Sequence, residues 1–136
     1  MYKLMVATVM MGTLAFSSVG LASKEKAVST ACKPSLEQRD NQRFEGLDWS
    51  SMSFERLNLA ERQFVFLQMD DANFAFARLQ GAVFSGARMQ DGKFFGVKAP
   101  TADFSNACLM GADFRRADLS NVDFTGASLR GARLWG

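Results

Sequence analysis

The sequence predicts an all-β chain, a four-sided β-solenoid of about five coils over residues 42–136, carried behind an N-terminal export signal. Three observations predict it. Large apolar side chains recur at every fifth residue with small ones two residues before them. Glycine, asparagine or aspartate gathers at the last place of the unit, where the chain must turn. Phenylalanine returns at every tenth residue, which suggests how many sides close one coil.

In the first segment, Lys3 precedes an apolar, Met-rich run from Leu4 to Phe16, and Gly20-Leu21-Ala22 offers a small-x-small cleavage site. The reading is a signal peptide over 1–22, with a mature chain that starts at Ser23 and goes to the periplasm or the medium. An uncleaved membrane anchor is the alternative, because Leu4 to Ala22 approaches the roughly 20 residues of a span. Thr13, Ser17 and Ser18 dilute it. The chain holds 16 Lys+Arg against 14 Asp+Glu, so charge alone pulls toward neither polyanions nor polycations.

Residues 23–41 read as a linker and cap. Ser35 with Gln38 three residues later fits a helix-start capping box, shortened by Pro34. A cap here would cover the first coil, which otherwise shows an unpaired strand edge. Cys32 lies in this segment, and an oxidising compartment would permit its bridge to Cys108 without requiring it.

From Gln42 the register never slips. The large places read Phe44, Trp49, Phe54, Leu59, Phe64, Met69, Phe74, Leu79, Phe84, Met89, Phe94, Ala99, Phe104, Leu109, Phe114, Leu119, Phe124, Leu129 and Leu134. In extended backbone, residues two apart point to one side, so the small and large residues of each unit both face inward and their neighbours face out. The residue left over turns the chain. Of the nine glycines after the signal segment, eight fall at that place, and a helix would have to hold them in its interior at about 1 kcal/mol each. A coil of four five-residue walls puts Phe44, Phe64, Phe84, Phe104 and Phe124 in one column and Phe54, Phe74, Phe94 and Phe114 in the opposite one. Identical rings then stack at the interstrand spacing of about 4.8 Å.

Units such as Ala102-Asp103-Phe104-Ser105-Asn106 and Ala117-Asp118-Leu119-Ser120-Asn121 resemble the A(D/N)LXX pattern of the pentapeptide-repeat family over about seventy per cent of the chain. The resemblance implies a right-handed quadrilateral β-helix. Two departures carry expectations of their own. Arg62 stands at a nominally inward place, so the first coil should be wider or distorted, and Pro100, which cannot donate a ladder hydrogen bond, should loosen one wall of the third coil.

Catalytic chemistry has no foothold. With no histidine there is no Ser-His or Cys-His pair and no imidazole ligand, and two cysteines alone do not make a structural zinc site. No enzyme activity, cofactor or metal is expected. Asp70, Asp71 and Asp91 gather on one wall but read as ordinary solvated surface beside Arg88.

One wall is richer. It places Phe76, Phe95 and Trp135 beside Lys93, Arg115, Arg116 and Arg133, the mixture of exposed rings and cations that interfaces use. Val65, Phe66 and Val83 make a smaller apolar group on another wall. The expected function is a non-catalytic periplasmic or secreted scaffold that binds a protein or an anionic envelope component. Mimicry of duplex DNA toward a topoisomerase, which the family resemblance brings with it, is disfavoured by near-neutral charge and the export signal, and no nucleic acid is expected as a partner. After Leu134 no cap follows, so the last coil is expected to be covered by a second copy, a partner, or Trp135 folded over it as a lid.

Overall fold

The computed structural model describes residues 48–136; the signal segment, the cap and Gln42 to Leu47 lie outside the described residues. Parallel bridges join residues twenty apart without interruption, from Asp48 with Gln68 to Asp113 with Arg133. The coil is therefore four walls of five residues. The first wall is built from residues 52–56, 72–76, 92–96, 112–116 and 132–136. The second takes 57–61, 77–81, 97–101 and 117–121, the third 62–66, 82–86, 102–106 and 122–126, and the fourth 48–51, 67–71, 87–91, 107–111 and 127–131.

The five places of a unit divide the labour. Ala72 and Phe74 point in, Asn73 makes the bridges, Ala75 begins the turn and Phe76 completes it. Inward rings stack along the axis: Phe64 lies 4.6 Å from Phe84, which lies 4.9 Å from Phe104, with planes within 5°. The opposite column stacks Phe74 on Phe94 at 5.1 Å and Phe94 on Phe114 at 4.6 Å. The two columns meet edge to face, as Phe74 and Phe84 do at 5.5 Å. Each buried ring contributes roughly 1.5 to 3 kcal/mol, so the core is a zipper of offset and T-shaped aromatic contacts.

Every corner from Ser51 to Gly131 has a positive φ, whatever the residue. The next amide closes an i to i+3 bond across it, as Ala77 donates to the Phe74 carbonyl at 3.0 Å, and a positive φ at the third residue is the mark of a type II turn. Arg56, Phe66, Phe76 and Arg116 accept this conformation at roughly 1 to 2 kcal/mol each.

Hydrogen bonding explains why aspartate or asparagine follows the small residue. Amides of the second, third and fifth places donate to neighbouring coils, and the first closes the turn. The fourth place accepts at its carbonyl from the coil before, but its amide donates to no backbone carbonyl. Instead, the side chain two residues earlier reaches it: Asp103 accepts from the Ser105 amide at 2.8 Å, Asp123 from Thr125 at 2.8 Å, and Asn73 from Ala75 at 3.0 Å. These Asx contacts satisfy the amide the turn leaves over.

Pro100 occupies this fourth place, so the expected loosening does not occur. It forfeits a bond that the ladder never makes, and its fixed φ suits the position before a positive-φ residue, here Thr101. The bonds around it are intact: Ala99 donates to Asp118 at 2.9 Å, Thr101 to Ser120 at 2.8 Å, and Gly81 to the Pro100 carbonyl at 3.1 Å. Gln80, one coil before on the same wall, occupies the same place. Gln80→Pro should be tolerated and raise stability by about 0.4 to 1 kcal/mol by restricting the unfolded chain. Urea titration of the two proteins checks this; a clear loss would mean that the fourth-place amide matters.

Arg62 also departs from expectation. Its side chain is exposed, while its backbone keeps the regular pattern, donating to the Leu59 carbonyl at 3.2 Å and accepting from Val83 at 2.9 Å. The coil needs no distortion because a long side chain carries its charge out to water.

Carboxylates at the second place give the fold a pH dependence. Asp113, Asp118 and Asp123 all titrate below the ordinary 3.8, held down first by side-chain hydrogen bonds from Arg115, Ser120 and Thr125 respectively. Above 3.8 their contribution is whole; as pH falls through the lower folded values the unfolded chain takes up protons first and the contribution is lost. The thermal midpoint should be level down to about pH 4.5 and drop below about pH 4. Replacing Asp118 and Asp123 with alanine should make that drop shallower, and an acid limb of unchanged steepness would refute the assignment.

Candidate interaction surface

The first wall brings its candidate residues into one connected strip. Phe76 and Phe95 meet edge to face with centroids 5.5 Å apart. Arg115 places its guanidinium 5.8 Å from the Phe95 ring and 5.7 Å from the Trp135 ring, bridging the two, and Arg116 lies 5.8 Å from Phe95. Arg56, which the sequence reading did not include, extends the strip at its other end by lying 5.8 Å from Phe76. The signal was available, because Arg56 is the corner residue one coil before Phe76. Lys93 and Arg133 are exposed on the same wall, at the bridging places of their coils.

Each ring is positioned by the solenoid. Phe76 is a corner residue, and above it stands Gly96, where a Cβ would come within 2.7 Å of the Phe76 ring. Glycine therefore lets the ring lie against the next coil and reach Phe95, even though Phe76 remains 48% exposed. Gly86 serves Phe66 in the same way on the third wall. That packing leaves Phe66, with Val65 and Val83, partly buried, so the second apolar group is not a raised patch.

Arg115 is held near its two rings by a bidentate pair with Asp113, Nε to Oδ1 at 2.8 Å and Nη2 to Oδ2 at 2.7 Å. That contact lowers the Asp113 pKa, with a smaller contribution from Arg133, and raises that of Arg115. Arg115 is thus the fixed part of the strip. Phe95, Arg115, Arg116, Trp135 and Gly136 line a shallow cleft of about 300 Å³. Its chemistry is guanidinium edges and ring faces, suited to an anionic group with apolar neighbours.

Trp135 does not fold over the end of the coil. It sits in an outward place, 69% exposed, where Arg115 competes for its ring, and Leu134 is left 49% exposed. Outward phase explains the error: the residue after an inward one points away from the axis.

On the fourth wall Asp70 is tied to Arg88, whose Nη2 lies 2.6 Å from Oδ2, and its other oxygen accepts from the Gln90 amide at 3.0 Å. No group of carboxylates, cysteines or histidines among the described residues is arranged to hold a metal ion. Cys108 takes part in a disulfide, and the only other cysteine of the chain, Cys32, lies outside the described residues. No helix among the described residues is long and apolar enough to cross a membrane.

A parallel solenoid with four walls, glycine or αL corners, a stacked aromatic core and one ringed, cationic wall defines a class of repeat scaffold. The pentapeptide-repeat profile matches eight copies, over residues 68–97 and 102–136. The chain belongs to the pentapeptide-repeat family, and its fold is that family's right-handed quadrilateral β-helix. Among solved structures it is similar to HetL from the cyanobacterium Nostoc sp. strain PCC 7120, a pentapeptide repeat protein involved in heterocyst differentiation regulation. The identity is 23%, over 60% of this chain and 46% of that one, with a TM-score of 0.38. Rfr23 from the cyanobacterium Cyanothece 51142 matches at 15% identity over 63% of this chain and 88% of that one, TM-score 0.35. QnrB1, a plasmid-mediated fluoroquinolone resistance protein, matches at 20% identity over 64% and 39%, TM-score 0.31. The chain thus spans less than half the length of HetL. The search among curated proteins finds no match.

Proposed function

We propose that the chain is an exported, non-catalytic scaffold whose first wall docks on a partner. The observation that carries the reading is the strip from Arg56 through Phe76, Phe95 and Arg115 to Trp135, in which rings and guanidinium groups contact one another across successive coils. Rings and arginines are the residues that dominate binding energy at interfaces. Export is supported by the apolar run behind Lys3 and by the disulfide at Cys108, a bond favoured in oxidising compartments. A duplex-DNA mimic needs an acidic face, whereas this face carries Arg56, Lys93, Arg115, Arg116 and Arg133 against Glu55 and Asp113.

The test is photo-crosslinking in cells that export the chain, with a benzophenone amino acid at Phe76 or at Ser105 on the third wall. Adducts should form from Phe76 and not from Ser105, in the exported fraction. Equal yields from both walls, or none from Phe76, would defeat the reading.

A further inference from the structure

We infer that the partner of the first wall is an anionic membrane surface, an inference that rests on the docking role given to that wall above. Of the large apolar side chains left exposed among the described residues, Phe76 and Trp135 point outward from the first wall, while Leu134, at an inward place, is uncovered at the end of the last coil. The cations Arg56, Lys93, Arg115, Arg116 and Arg133 share that wall. Of its two carboxylates, Asp113 is engaged by Arg115 and Glu55 lies 3.7 Å from Arg56. The fourth wall has the opposite sign, with Asp48, Asp70, Asp71 and Asp91 against Arg88 and Arg130. The apolar and cationic side chains are therefore concentrated on one flat side, and an adjacent side carries the opposite charge.

Shape and charge favour a membrane over a protein partner. Four bridging steps carry the first wall from Ser53 to Arg133, a flat face bordered by the fourth wall, on which the charge reverses. A bilayer is planar and meets such a face without wrapping onto its acidic neighbour. The Trp135 indole, with one polar edge, suits headgroup depth, the apolar Phe76 ring suits the acyl boundary beneath it, arginines carry their charge to the phosphates, and anionic leaflets attract such basic clusters. The cation–ring contacts keep Phe95 and Trp135 beside Arg115 and Arg116, so both kinds of group arrive together.

Flotation of the purified chain with vesicles of phosphatidylglycerol and phosphatidylcholine, against phosphatidylcholine alone, tests this. Binding is expected to the anionic vesicles only and to weaken as salt rises from about 50 to about 500 mM. In a Trp49→Phe background the remaining Trp135 emission should shift to the blue on binding. The double variants Arg116→Glu with Arg133→Glu, and Phe76→Ala with Trp135→Ala, should each weaken binding at least tenfold, while Gln80→Glu on the second wall should not; circular dichroism confirms that all remain folded. Equal binding to neutral vesicles, or indifference to the wall variants, overturns the proposal. Absence of vesicle binding with persistent crosslinks from Phe76 to a protein overturns the lipid assignment and leaves the docking wall standing, whereas absence of both removes both.

Discussion

Ala82→Arg is expected to abolish the native state, whereas Arg62→Ala, one coil earlier in the same column, should change stability by less than about 0.5 kcal/mol. Arg62 reaches water. Ala82 is fully buried, with coils on both sides joined by the Val83 to Arg62 and Asp103 to Ala82 bonds. A guanidinium there would be overpacked and unpaired, at more than about 4 kcal/mol, against a total stability of about 5 to 15 kcal/mol for an ordinary domain. Denaturant titration and resistance to limited proteolysis would check the pair. Folded Ala82→Arg protein with a normal midpoint would mean that the interior admits side chains far more freely than its packing indicates.

Phe84→Ala should cost about 3 to 5 kcal/mol. The ring is fully buried and loses two stacked neighbours, Phe64 and Phe104, and an edge contact with Phe74. Neighbouring coils are fixed by backbone bonds and collapse poorly into the gap, so the loss should sit at the upper part of that range. Gln90→Ala, which leaves the backbone bonds of that residue intact, should be nearly silent. Equal midpoints for the two in urea would show that the inward phase has been misassigned.

Inward and outward phases were legible because they follow from side-chain alternation and a period that never slips, and the twenty-residue coil followed from the spacing of phenylalanine alone. The misreadings have a common cause. Pro100 and Arg62 were judged by rules for generic strands, whereas the outcome depends on which of five amides the corner leaves out of the ladder and on whether a side chain at the first described coils has a way to water. For Trp135, which the sequence placed on the wall and also offered as a lid, the outward phase decides for the wall. On the candidate surface, the residues of the strip could be read from spacing, but the Asp113 clamp on Arg115 and the glycine seat of Phe76 could not. Both depend on rotamers and on close contact between coils.

The twenty-residue bridge register means that a residue's compass direction is its number taken modulo twenty, while its depth depends only on the number modulo five. Five residues inserted after Gly96 would leave every inward side chain inward and the ladder whole. They would also turn everything downstream by a quarter revolution, so that Phe76 and Phe95 kept their heading while Arg115, Arg116 and Trp135 came round to the next side. Twenty inserted residues would lengthen the rod and turn nothing. Such a chain can gain or lose single units freely as far as folding is concerned, yet each one scrambles the pattern it shows to the outside, so lineages that keep this face should differ in length by whole revolutions.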